Sequence, residues 1–207
     1  TETDGYRQYN ASARLRVGFA PGFGADLRGY YAHSRLELDG FLPDFSFGDT
    51  DEYSNTQELY GYAGLFADIG PVSNRVAFTI ADINRDSFAT SDSDAPTYLF
   101  RGRSERYEYR GDARVAQQLR LTFGAEQENL RFYNADDTFR ADITSVYGQA
   151  IVTPVEQVAI TAGIRNDDHS RFGSHMTWGV NAAVQPLDGT LLRASYGEGF
   201  KAPTLFQ

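Results

Sequence analysis

The chain has 207 residues, no cysteine, a mean hydropathy of −0.45 and no apolar run near the roughly 18 residues that a membrane-crossing helix needs, which excludes disulfides, thiolate metal centres and transmembrane helices. Its 19 basic and 28 acidic residues leave a formal charge of −9, which disfavours nucleic acid as a partner because phosphate binding needs basic patches. Aromatic residues reach 14% and glycine numbers 20, a β-type composition open to a soluble sandwich or to a transmembrane barrel whose alternating strands escape hydropathy scans.

Taken in order, the chain reads as ten strands, most with period-two alternation. Residues 7–20 place Ala11, Ala13, Leu15, Val17 and Phe19 on one face and Ser12, Arg14 and Arg16 on the other. The turn "PGFG" (21–24) leads to a strand at 25–38, and a long segment, "DGFLPDFSFGDTDEYSN" (39–55), leads to a third at 56–69. "GPVSN" (70–74) turns into the fourth at 75–89, and residues 90–101 precede the fifth at 102–116. The sixth, 118–133, follows with almost no connection and sets Leu119, Leu121, Phe123 and Ala125 against Arg120, Thr122 and Glu126. After the loop 134–142, the seventh strand covers 143–153, and "TPVEQ" turns into the eighth at 158–167. The segment 168–174 opens the ninth strand, where Met176, Trp178, Val180, Ala182 and Val184 face away from Thr177, Asn181 and Gln185. "PLDG" (186–189) then turns into the tenth at 190–200.

The connections alternate between short turns and longer, mostly acidic loops at 39–55, 90–101, 134–142 and 168–174. Sorting of loop length by side is the pattern of bacterial outer-membrane barrels, and strands of 11 to 15 residues exceed the 5–6 usual in globular sheets while satisfying the ~9–11 of a tilted membrane strand. The apolar faces are mild and rich in alanine, weak for a sandwich core but adequate against lipid. Aromatic residues gather near predicted strand ends (Tyr6, Tyr9, Phe19, Tyr98, Phe100, Tyr107, Tyr109, Phe132, Tyr133, Trp178, Phe200), as in interfacial girdles. The fold expectation is therefore all-β: an antiparallel up-and-down transmembrane β-barrel segment whose polar face, with Arg14, Arg16, Arg120, Arg165 and Arg193, lines the lumen.

Enzymatic chemistry finds no foothold. His33, His169 and His175 are dispersed, and a metal site at 167–175 would need both later histidines to converge with Asp167 or Asp168, where a plain polar loop suffices. Ser195 lacks a nucleophile elbow, "GFAPGFG" opens no helix, and "SDSDA" lacks the glycine and terminal glutamate of an EF-hand loop. One acidic constellation stands out. Glu2 and Asp4 precede the first strand, Asp39 follows the second, and Asp49 and Asp51 lie beyond it. Pairing of the first two strands through residues 21–24 brings these carboxylates to one rim, where they repel each other unless a cation with a taste for hard oxygens, such as calcium, joins them. A solvated acidic loop is the competing reading.

"AGIRNDDHSRFGSHMTW" and "ASYGEGFKAPTLFQ", with "DGY" and "YRGDARV" in the same register, resemble TonB-dependent outer-membrane receptors, most closely the vitamin B12 (cobalamin) receptor branch. The resemblance covers nearly the whole chain and is most specific in its last third. It implies a barrel of about 22 strands around a plugged lumen, so that residues 1–207 are expected to be a slice lacking the plug and the C-terminal strands. It further implies active transport energised by TonB through that plug, a corrinoid or other small-molecule ligand, outer-membrane lipid as surroundings, and calcium held by aspartates of the early outer loops. Glu2 departs from that family pattern, which has an aspartate there. A siderophore receptor of the same superfamily and a soluble or surface β-sheet binding module remain the alternatives.

Overall fold

The computed structural model describes residues 5–90 and 92–205. They form β1 (Tyr6–Ala20), β2 (Phe23–Phe41), β3 (Phe47–Ile69), β4 (Val72–Phe88), β5 (Tyr98–Ala116), β6 (Leu119–Tyr133), β7 (Thr138–Val155), β8 (Val158–His169), β9 (Gly173–Leu187) and β10 (Thr190–Gly197). Each strand pairs antiparallel with its sequence neighbour, giving one 10-stranded sheet in the order β1 to β10. Among the described residues β1 and β10 do not pair with each other, so both are edges.

Five two-residue turns gather at one end of the sheet: 21–22, 70–71, 117–118, 156–157 and 188–189. Gly22 (φ 72°) and Gly70 (φ 59°) supply the left-handed backbone that closing so tightly requires there. The longer connections occupy the opposite end, as the alternation of lengths predicts. They are shorter than expected: 39–55 contracts to 42–46, 90–101 to 89–97, 134–142 to 134–137 and 168–174 to 170–172. Hydrophobic alternation stops at the apolar zone, but backbone pairing needs no apolar side chain and continues through polar sequence. β3 reaches 23 residues, more than twice the ~9–11 that span hydrocarbon.

Directly opposed residues share a face, and the register joins Leu15, Leu27, Ala63, Phe78 and Tyr107 across five strands. On that face an apolar band runs through Leu65, Val76, Tyr109, Phe123, Val146, Ile160, Ile164, Trp178, Val180 and Leu192. The other face carries Arg14, Arg16, Arg120, Arg165 and Arg193, so the expected division between lipid and lumen holds at each of these positions. No second layer covers either face among the described residues. Ala32, Tyr53, Ala77 and Ala141 are the buried apolar side chains, while Ile164 keeps 51% of its surface exposed. A sheet that leaves so broad an apolar band open makes sense in a solvent of lipid.

The aromatic expectation needs correction. Tyr9, Phe19, Tyr107, Tyr109 and Trp178 lie on the lipid face, but Tyr6, Tyr98, Phe100 and Phe132 lie on the lumen face. Clustering near strand ends did not take account of the parity that decides which way each ring points.

Candidate functional site

On the lumen face carboxylates hold several of the arginines in ion pairs. Arg14 sits directly across from Arg28, and Asp26, almost completely buried, accepts from Arg14 at 2.8 Å and from Arg28 at 2.7 Å. Further along, Arg165 donates to Glu126 at 2.7 Å and to Asp167 at 2.8 Å, and the buried Ser145 hydroxyl also donates to Asp167 at 2.6 Å. Glu128 accepts from Arg106 at 3.0 Å and Ser104 at 2.7 Å, and Asp112 from Arg110 at 2.8 Å and Thr122 at 2.6 Å. Arg16, Arg28 and Arg165 also lie over the rings of Phe66, Tyr62 and Tyr147, at 4.7, 4.9 and 5.6 Å from their centroids. The arginines remain partly exposed, so each pair adds little stability alone. Together they fix a polar wall of defined charge pattern that can hydrogen-bond to whatever fills the lumen.

Toward the long-loop end the same face turns aromatic. Phe132 lies directly opposite Phe139 with ring centroids 6.3 Å apart, and Phe100 stacks on Phe132 at 6.0 Å. All three rings are half-buried. Such a strip offers flat apolar contact beside a polar wall.

The β2–β3 hairpin projects farthest. Its tip, 42–46, is closed by Leu42 N–H donating to Ser46 O and Phe45 N–H to Leu42 O, both at 2.9 Å. The Asp44 carboxylate accepts from the Ser46 hydroxyl at 2.5 Å and its amide at 3.0 Å, and these bonds, the hydroxyl first, hold the carboxyl below its ordinary value. Phe45 adopts φ 66° and is 87% exposed, and Phe41 and Phe47 meet edge to face with centroids 5.8 Å apart. Sequence reasoning passed over this tip as acidic loop. "FLPDFSF" carried the signal, since a Pro-Asp turn flanked by four large apolar residues is not a solvated loop.

Asp39 occupies a register irregularity between Leu38 and Gly40, facing the interval 49–51 of β3 that holds Asp49 and Asp51. The expected pairing of β1 with β2 through the 21–24 turn is present, and it continues outward to Gly5, whose carbonyl accepts from Glu37 N–H at 3.0 Å. Glu2 and Asp4 lie outside the described residues. Among the described residues no three His, Asp or Glu side chains come close enough to hold a metal ion, so Asp39, Asp49 and Asp51 do not form a ligand set by themselves. The two later histidines are occupied by turn packing. His169 is buried against Phe172 and accepts from Arg171 N–H at 3.1 Å, and His175 stacks on Phe200 at 3.9 Å.

The sequence matches the family model "TonB dependent receptor-like, beta-barrel" over residues 1–207. It is 28% identical to the vitamin B12 transporter BtuB of Vibrio vulnificus (strain YJ016), over 98% of this chain and 33% of that protein. In fold it is similar to the siderophore receptor PirA of Pseudomonas aeruginosa (TM-score 0.80, 17% identity, 98% of this chain and 35% of that one). It is also similar to the ferric enterobactin receptor PfeA of the same organism (TM-score 0.81, 12% identity, 99% of this chain and 34% of that one). The chain spans about a third of the length of these relatives. With strand order, lipid-facing band and whole-length match in agreement, the chain belongs to the TonB-dependent receptor β-barrel family of the bacterial outer membrane.

Proposed function

We propose that these strands form part of the wall of an outer-membrane active-transport receptor for cobalamin or a related corrinoid, energised by TonB through a plug domain. The observation that carries this reading is the 28% identity to a vitamin B12 transporter across 98% of the chain. The likeness to siderophore receptors is one of fold and says nothing about ligand. The Phe100–Phe132–Phe139 strip above a polar wall supports a large, flat ligand with polar edges. In this reading the chain contributes binding surface and no reacting group. Titration of the full-length receptor with cyanocobalamin and with ferric siderophores tests it: saturable binding of cyanocobalamin is expected, and binding of a ferric siderophore alone would transfer the protein to the siderophore branch.

Calcium belongs to the same proposal. Asp39, Asp49 and Asp51 are exposed and carry no ion pair among the described residues, and the pairing of β1 with β2 runs outward as far as Gly5. Calcium supplied there would neutralise the rim and order the β2–β3 arm, so that corrinoid binding no longer bears that ordering cost. Corrinoid affinity is therefore expected to rise with millimolar calcium and fall with chelator in the wild type. It should respond much less in Asp39→Asn, and equal affinity in all four conditions would remove calcium from the account.

A further inference from the structure

Three arginines form an unbroken row on the lipid-side face, beyond the apolar band toward the long-loop end. Arg103 lies directly opposite Arg131, and Arg131 directly opposite Arg140, across β5, β6 and β7. Like charges directly opposed on one face of a sheet destabilise it; on the lumen face Asp26 relieves Arg14 and Arg28, while the opposed Arg114 and Arg120 have no ion pair among the described residues. In the row of three, relief stops at the first member. Arg103 pairs with Glu105 at 2.5 Å and Asp82 at 3.6 Å, whereas Arg131 and Arg140 have neither an ion pair nor a side-chain hydrogen bond among the described residues. All three are exposed.

The next rows of that face explain what the position is suited to. Inward from the arginines come Glu105, Asn129 and Asp142, then Tyr107, Gln127 and Thr144. The arginine and carboxylate rows line an open depression of about 460 Å³. Directly inward lies a second depression of about 640 Å³, floored by Ala25, Ala63 and Ala125 and walled by Leu65, Val76 and Tyr109. Four residues along a strand separate Arg103 from Tyr107, about 13 Å at strand rise. The surface thus presents a cationic row, a belt of hydroxyl-binding groups and an apolar trough, in that order toward the membrane midplane.

We propose that this surface holds a phosphorylated glycolipid of the outer leaflet, with phosphate on Arg131 and Arg140, sugar hydroxyls on Asn129, Asp142 and Glu105, and an acyl chain along the alanine-floored trough. Paired guanidinium forks match phosphate oxygens in geometry as well as charge. Glu105 and Asp142 carry the opposite charge, so the site selects a ligand that presents hydroxyls as well as phosphate over a bare anion. It faces away from the lumen and is independent of what the receptor transports.

The test is native mass spectrometry of the full-length receptor released from nanodiscs containing bisphosphorylated lipid A or its dephosphorylated form in a phosphatidylcholine background. The wild type should retain bisphosphorylated lipid A at least about tenfold over the dephosphorylated form. Arg131→Gln/Arg140→Gln should lose that preference, and Arg120→Gln on the lumen face should keep it. Arg131→Lys/Arg140→Lys, which preserves charge and strand pairing, should retain several-fold less than wild type through loss of the fork. Equal retention by wild type and both double variants would overturn the proposal. So would displacement of the lipid by millimolar inorganic phosphate, which would reduce the row to a site for any anion.

Discussion

Asp44 shows how one side chain holds a strained turn. The hydroxyl and amide of Ser46 favour the charged carboxylate, so the folded-state pKa is lowered and this contribution to the turn is present above the unfolded carboxyl range. It is lost as the pH falls through the folded value. The tip should therefore resist protease at neutral pH and become cleavable between 42 and 46 only in acid. Asp44→Ala should be cleavable at both, and equal resistance of the two proteins at neutral pH would deny the carboxylate this role. Other residue-level features were legible in the sequence to different degrees. Arginine parity on each strand was readable because mid-strand charges interrupt apolar alternation. The clamp on Asp26 was not, because it depends on the register between β1 and β2, which no single strand discloses.

At the level of elements, the two faces of β9 make opposite demands. Val180 points to lipid and Asn181 to the lumen, one residue apart. Val180→Arg should cost roughly 2–4 kcal/mol near the midplane, whereas Asn181→Arg should be close to neutral. Reversible unfolding of the receptor in lipid vesicles measures both, and equal costs would mean that the face assignment is wrong. Strand number, order and sidedness were all legible, since period-two patterning and turn residues are local properties. Strand ends were not, because pairing outside the membrane needs only backbone groups and polar stretches such as 47–55 give no periodic cue. The outer rim was the least legible part. Its carboxylates are visible in the sequence, but where Asp39 stands relative to Asp49 and Asp51 depends on a register irregularity between Leu38 and Gly40.

For the molecule as a whole, the two edges govern behaviour. β1 and β10 are exposed along their lengths, and among the described residues each pairs on one side alone and so offers a row of unpaired backbone groups on the other. Residues 1–207 produced alone in detergent should associate through these edges into mixed oligomers on size-exclusion chromatography. A monodisperse monomer with heat-modifiable migration would show instead that β1 and β10 can close on each other. The strictly sequential pairing also has a kinetic side. Every strand finds its partner next in the chain, so the sheet can zip hairpin by hairpin with little loop-closure entropy at each step. What slows such zipping is the freight each hairpin must push through hydrocarbon, and the β2–β3 arm, with polar residues continuing well past the apolar band, is the heaviest load. Trimming residues 39–51 to a tight turn should speed insertion into preformed vesicles, read as the rate at which the heat-modifiable band appears, and it places the bottleneck of assembly at the second hairpin.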